Sequence, residues 1–468
     1  MTERNRWLAL YMLCAGELMI VLDTTIVNVA LPSIQTDLAF GETALVWVVN
    51  AYMLTYGGFL LLGGRLGDLY GQRRLFLLGV TLFTVASLVC GIAGSQPLLI
   101  GARAVQGLGG AVVSAIALSL IMNIFTEAAD RAKAMGIYGF VCAGGGSLGV
   151  LLGGVLTSAL SWHWVFLVNL PIGAAVYACC VKLLAPDRLP SERQRLDVGG
   201  AVTVTVSLLL AVYAIVDGNT AGWTSAQTVT LLGAAVGLFA LFLVIEARTS
   251  HALMPLRLFR LRSVAAANAI GVLWAAAMFA WFFISALYLQ LVLGYDPLQV
   301  GLAFLPANLI MAVFSIGLSA KLVMRFGLRL PIFGGMLLAA AGLGLFALSP
   351  VNGSFALHVL PGMLLLGLGC GMALNPVMLA AMNDVDPSES GLASGIVNTA
   401  FMMGGALGLA VLASIAAART QSLAGLEPSA ALTAGYRIAF ALGALFAALA
   451  ALLAGLLPAK REGVEYAG

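Results

Sequence analysis

The sequence predicts an all-helical integral membrane protein, and three observations carry that prediction. Only 9% of its 468 residues are charged and 61% are hydrophobic, where a soluble domain carries about 25% charge. Its mean hydropathy is +1.04. Its apolar residues fall in long continuous runs, without the period-2 alternation of a β-barrel strand. Charge this sparse cannot cover the soluble domains that such a length would otherwise build. A soluble enzyme, a disordered chain and a nucleic-acid binder are therefore excluded, and a net charge of +3 argues for no anionic partner. Cys14, Cys90, Cys142, Cys179, Cys180 and Cys370 all lie inside apolar runs, at no metal or disulfide spacing. His163, His251 and His358 are scattered. No phosphate loop of the Gly-x4-Gly-Lys-Ser/Thr kind occurs, so energy must come from an ion gradient or a partner chain.

Fourteen runs reach the roughly 20 residues that a helix needs to cross a bilayer. They lie near 7–31, 44–63, 74–94, 97–122, 133–158, 163–184, 198–217, 226–246, 264–292, 298–321, 328–349, 356–380, 391–417 and 434–457. The first is too long for a cleavable signal peptide, contains Glu17 and Asp23, and is followed by no small-residue cleavage site. The third and fourth are parted by Gly94-Ser95-Gln96-Pro97. With the N-terminus inside, every Lys and Arg except Arg103, Arg419 and Arg437 falls in a cytoplasmic loop or tail. This is a strong positive-inside bias, and it puts both termini in the cytoplasm. The loop 382–390 should also lie inside although it carries Asp384, Asp386 and Glu389, because acidic residues contribute little to orientation.

The chain also repeats itself. The loop Gly64-Arg65-Leu66-Gly67-Asp68-Leu69-Tyr70-Gly71-Gln72-Arg73-Arg74 follows the second run, and Leu322-Val323-Met324-Arg325-Phe326-Gly327-Leu328-Arg329 follows the tenth. Superimposed on Gly71 and Gly327, they share leucine at −5, an aromatic at −1 and arginine at +2. Such a repeat predicts two related halves, as many secondary transporters have. The expected organisation is a six-helix half over 1–184, two inserted spans with their loops over 185–262, and a second six-helix half over 263–468.

Three ionisable residues stand inside the runs. A charge at the bilayer centre costs from ~2.5 to over 10 kcal/mol, so it faces a cavity or a partner. At 1.5 Å per residue, Glu17 lies roughly 15 Å above Trp7 and Asp23 roughly 24 Å, while Arg103 lies roughly 9 Å below the outer edge. Asp23 and Arg103 therefore share a depth and are expected to pair if spans 1 and 4 adjoin. Glu17 and Asp23 are turned by about 240° from one another and cannot both point into one pocket. Glu17, with no evident cationic neighbour, is a candidate proton carrier; Asp23 is one if substrate competes for Arg103. The competing reading is a static pair, with Glu17 merely hydrogen-bonded to a neighbouring helix. Gly145, Gly149 and Gly153, flanked by Gly144, Gly146 and Gly154, make a smooth helix face for close packing, which ordinary membrane helices also use. Trp47, Tyr52, Tyr56, Trp274, Phe279, Trp281, Phe282, Phe283, Tyr288, Met402 and Met403 include candidates for a greasy site for flat organic cations. Most of them are expected at lipid or at the interfaces.

These residues also carry a resemblance. Leu22-Asp23-Thr24-Thr25-Ile26-Val27-Asn28-Val29-Ala30-Leu31-Pro32 closely resembles the first-span signature of fourteen-span drug:proton antiporters of the major facilitator superfamily. The loop from Gly64 to Arg74 resembles the superfamily's loop between spans 2 and 3. Arg103-Ala104-Val105-Gln106-Gly107-Leu108-Gly109 resembles its span 4 motif, and Gly145 to Gly154 its antiporter motif in span 5. Trp162 to Gly173 is similar to the entry into span 6, and Gly391 to Gly395 with Gly404 to Gly408 to the second half's pattern.

The resemblance implies a major facilitator fold, in which two six-helix halves rock around a central cavity in alternating access. It implies proton coupling or cation recognition at Asp23 and Arg103, with Asn28 and Gln106 in the same matched motifs and Glu17 as a further candidate. It implies a cytoplasmic gate at Gly64, Asp68, Gly71 and Arg73, and packing by Gly145, Gly149, Gly153 and Gly154. The expected function is export of amphipathic, often cationic drugs or toxic compounds across a bacterial cytoplasmic membrane, driven by the proton gradient without a cofactor or metal. The alternative is export of one metabolite or antibiotic. The expected partners are small molecules, protons and the lipid bilayer, for a monomer. An integral-membrane enzyme would show a nucleophile, base or metal ligands clustered at one depth, and none is present. Two departures stand out: Gly149-Val150 replaces the usual Gly-Pro, and Met324 stands where the first half has Asp68. Spans 9 and 10 carry no acidic residue, which argues against a site for divalent organic cations.

Overall fold

Apolar runs with few charges fold as helices in lipid because every backbone polar group must be satisfied within the segment. The computed structural model describes residues 2–41, 43–187, 197–249, 252, 254–314, 318–382, 384–385, 390–423 and 425–457. His251, Arg188, Arg193, Arg195, Asp386, Glu389, Lys460 and Arg461 lie outside the described residues, as do the side chains of Arg65, Asp68, Arg131 and Cys142 and the surroundings of Gly144. Among the described residues there is no strand.

The first part of the chain forms α1 (Glu3–Asp37), α2 (Val46–Tyr70), α3 (Gln72–Gly91), α4 (Gln96–Ile124) and α5 (Ala128–Ala159). The short α6 (Trp164–Leu167) runs almost directly into α7 (Asn169–Leu183). Then come α8 (Val198–Ala221) and α9 (Ala226–Arg248). The remainder forms α10 (Arg262–Leu287), α11 (Pro297–Val313), α12 (Ser319–Phe326), α13 (Arg329–Ala347), α14 (Leu360–Ala380), α15 (Ser390–Ser422) and α16 (Pro428–Ala454). Local chemistry sets several ends. Thr2 caps α1 by accepting from the Asn5 N–H, Pro97 stands in the first turn of α4, and Asp296 with Gln299 closes a capping box on α11. Twelve of the described helical segments are long and apolar enough to cross a membrane, and the apolar stretches Leu148–Ala159 of α5 and Pro297–Val313 are shorter.

The described chain divides into two compact units, Met1–Ala211 with Thr230–Leu253, and Val212–Val229 with Met254–Gly468. Inside the first, α1 packs on α5 and α7, α2 and α3 pack on α4, and α3 packs on α7. The second repeats that scheme: α10 packs on α15 and α16, α11 and α13 pack on α14, and α13 packs on α16. The loop repeat recurs in the backbone. Gly71 (φ 98°) and Gly327 (φ 74°) each end a helix in the left-handed region that glycine enters without strain. The most apolar window of α9 is 17% buried and that of α10 is 78% buried, so α9 presents its side chains outward and α10 forms the centre of its unit. Accordingly Trp274, Trp281, Phe282, Phe283 and Tyr288 are buried, not at lipid as expected, because α10 is surrounded by α14, α15 and α16. Tyr52 and Tyr56 are buried as well.

Candidate functional site

The polar centre of the first unit is assembled from five helices, α1, α2, α3, α4 and α7. Asp23 of α1 and Arg103 of α4 form an ion pair through Oδ2 and Nη1, both fully buried. The second carboxylate oxygen, Oδ1, accepts from Gln106 Nε2 at 2.7 Å and from Asn169 Nδ2 of α7 at 3.2 Å. Gln106 stands one turn beyond Arg103, which donates to its Oε1 at 2.7 Å. Gln106 Nε2 also reaches Ser87 Oγ of α3 at 2.8 Å, and Cys90 Sγ approaches Gln106 Oε1 at 3.7 Å. The Arg103 Nε donates to the Val48 carbonyl of α2 at 2.8 Å. Its guanidinium lies over the Tyr52 ring, 4.4 Å from the centroid, with Phe166 at 5.6 Å. Burying two charges is costly unless they are paired and their remaining hydrogen-bonding capacity is met, and here each side of the pair is met by amide or carbonyl groups.

The depth arithmetic thus brings Asp23 and Arg103 together. Asn28 bonds within its own helix: its Nδ2 donates to the Thr24 and Thr25 carbonyls, each at 3.3 Å. Glu17 lies on α1 below the pair, 5% exposed. Ser114 of α4 and Tyr138 of α5 face it, while its Oε2 has no hydrogen-bond partner among the described residues.

The glycine series lies against the same helix. A Cβ on Gly149 would run into Thr25 Oγ1 and stand 2.8 Å from the Leu22 carbonyl; one on Gly145 would stand 2.9 Å from Val21, and one on Gly153 2.5 Å from the Ile26 carbonyl. Gly154 is buried. The helix α5 is continuous from Ala128 to Ala159, so the missing proline leaves no break and the glycines instead let α1 approach.

At the loop between α2 and α3, Gly64 lies opposite Ala115 of α4. Arg73 donates from Nη2 to the Val181 carbonyl near the end of α7 at 2.6 Å. Asp187 accepts from the backbone N–H of Arg73 at 2.8 Å and of Arg74 at 3.0 Å. It sits at the positive end of α3, against Gly71, where a Cβ would collide with its carboxylate. Asp187 follows span 6 outside any motif, and no sequence signal marks it. Ser87 and Asn169 are uncharged, so a search for ionisable residues passes over them; Asn169 stands within the segment that resembles the entry to span 6.

Comparison with known proteins places this geometry. The Major Facilitator Superfamily pattern matches residues 13–409. The "Puromycin resistance protein pur8" of Streptomyces alboniger is 38% identical, over 100% of this chain and 94% of its own length. The "Multidrug resistance protein Stp" of Mycobacterium tuberculosis (strain CDC 1551 / Oshkosh) is 40% identical, over 89% of this chain and 77% of its own. Among solved structures, a bacterial homologue of the human lysosomal transporter Spinster, inward-facing and unoccupied, superposes with a TM-score of 0.66 at 17% identity, over 97% of each chain. The last likeness shows the fold alone. With the repeated helix packing and the buried polar centre, these matches identify the chain as a multi-pass membrane transporter belonging to the Major Facilitator Superfamily.

Proposed function

We propose that this transporter is a proton-coupled antiporter, which exports amphipathic, often cationic organic compounds from the cytoplasm by alternating access. The observation that carries the reading is the pair of carboxylates buried in α1, Asp23 within its Arg103–Gln106 network and Glu17 without a paired cation among the described residues. Ionisable groups kept in membrane spans mark proton relays and substrate paths, and relatives named for drug and antibiotic resistance support efflux. In this reading α5 is span 5 of fourteen, and α11 together with α12 is span 10. Both termini are cytoplasmic, the membrane is the cytoplasmic membrane of a bacterium, and the working unit is a monomer that needs no cofactor. Gly64, Asp68, Gly71 and Arg73 belong to the cytoplasmic gate.

A second reading, export of a single antibiotic or metabolite, is favoured by the end-to-end match with the puromycin resistance relative. Purified protein in proteoliposomes separates the two. A pH gradient drives accumulation of ethidium and puromycin in the antiporter reading, and collapsing the gradient with nigericin stops it. Accumulation of puromycin alone selects the narrow exporter. Transport indifferent to the gradient refutes proton coupling.

A further inference from the structure

We propose that the basic turn leading into α10 is a binding site for the headgroup of an anionic phospholipid. In the second unit, Leu256-Arg257-Leu258-Phe259-Arg260-Leu261-Arg262 interleaves arginine with apolar side chains. Leu256–Arg260 forms a 3₁₀ turn packed on α10, and Arg262 opens α10 itself. Arg257, Arg260 and Arg262 are all exposed. Between Glu246 and Asp296 the sequence has no acidic residue. The whole-chain charge of +3 therefore conceals a strong local surplus of positive charge.

The 3₁₀ geometry arranges those charges. With three residues per turn, side chains three apart in sequence eclipse one another, so Arg257 and Arg260 share one face, roughly 6 Å apart along the axis. Leu258, 3% exposed, pins the turn to the protein and keeps that face outward. Like charges one turn apart repel, and an anion set between them turns the repulsion into attraction. The planar guanidinium suits a phosphate, to which it can donate two parallel hydrogen bonds. Neither of the ion pairs found among the described residues, Arg6–Asp130 and Asp23–Arg103, involves Arg260 or Arg262.

The start of α10 points to the same ligand. A helix N-terminus favours negative charge and disfavours cations. Yet α10 begins with Arg262, has no acidic residue in its first turn, and has at its N-cap Leu261, which makes no side-chain cap. Ser263, the next residue, is fully buried, and its Oγ has no hydrogen-bond partner among the described residues, so it does not cap the turn either. The free N–H groups of that turn suit the oxygens of a phosphate. Arg262–Val292 is long and apolar enough to cross a membrane. The turn therefore stands where a crossing helix leaves the hydrocarbon, at the level of the headgroups, and this favours a lipid phosphate over a soluble anion. A headgroup seated there ties the central helix of the unit to the bilayer surface.

The test is native mass spectrometry of the purified full-length protein, titrated with phosphatidylglycerol and with zwitterionic phosphatidylcholine. Wild type binds phosphatidylglycerol more tightly than phosphatidylcholine. Combining Arg257→Gln with Arg260→Gln weakens the tightest phosphatidylglycerol adduct roughly thirtyfold, which is about 2 kcal/mol, and leaves phosphatidylcholine binding as it was. Arg4→Gln, which removes an exposed charge at the start of α1, changes neither. If the double variant does not fold, Arg260→Gln alone carries the test, with an expected loss of roughly fivefold. A double variant that holds phosphatidylglycerol as tightly as wild type overturns the site, and so does a wild type without preference for the anionic lipid. An equal loss in Arg4→Gln also overturns it, by showing diffuse attraction to the basic surface. Displacement of the lipid by ammonium phosphate assigns the turn to a free anion and overturns the lipid. The readout is binding alone, so it does not depend on the substrate or the coupling ion.

Discussion

Three donors converge on the Asp23 carboxylate, from Arg103, Gln106 and Asn169, and this convergence makes the pair a structural unit. Removing either charge strands the other in a dry interior, which costs about 3–5 kcal/mol, whereas replacing both with apolar side chains of similar volume is close to neutral. Asp23→Leu and Arg103→Met are therefore each expected to lower the thermal midpoint of the purified protein, and the double variant to recover most of the loss. Simple addition of the two losses would show that the charges do not act together. The pairing was legible in the sequence because depth is linear in residue number along a helix. The closing of the network by Ser87 and Asn169 was not, since neutral polar residues leave no imprint on hydropathy.

At the scale of the element, α1 is held by the glycine face of α5. Even one methyl at Gly149 meets the Leu22 carbonyl, a backbone atom that cannot rotate away, so the helices must part; overpacking of this kind costs about 1–3 kcal/mol. Gly149→Ala is expected to lower both thermal stability and transport. Gly237→Ala on α9, where nothing lies within 4 Å, is expected to leave both unchanged. Equal effects at the two positions would show that α1–α5 contact is not what the glycines serve. Sequence spacing identified the smooth face of α5 but not its partner, because a period of four residues says nothing of which helix fills the groove. The general enrichment of aromatics at lipid and at the interfaces likewise misplaces those of α10, which are buried. Hydropathy scores a tryptophan the same way whether lipid or protein surrounds it, and only the packing of α14, α15 and α16 around α10 decides.

For the whole molecule, the distribution of Lys and Arg predicts orientation. Single cysteines introduced at Glu127 and at Ser429 in a cysteine-free background test it with a membrane-impermeant maleimide. Ser429→Cys should react in intact cells, and Glu127→Cys only after permeabilisation; the reverse pattern would invert the topology. The likeness of the Gly71 and Gly327 turns was visible in the sequence, because a left-handed turn between two helices demands glycine. Asp187 was invisible, since it contributes to that turn only through space. The Asp23–Arg103 pair also bears on biogenesis. Arg103 follows Asp23 by 80 residues, and at 5–20 residues per second of synthesis the delay is about 4–16 seconds. Throughout that interval α1 has left the ribosome while the helix bearing its counter-ion is still being made. The insertion machinery must shelter α1 for those seconds, and slowing translation between the first and fourth helices prolongs the exposure of a half-built transporter to quality-control proteases.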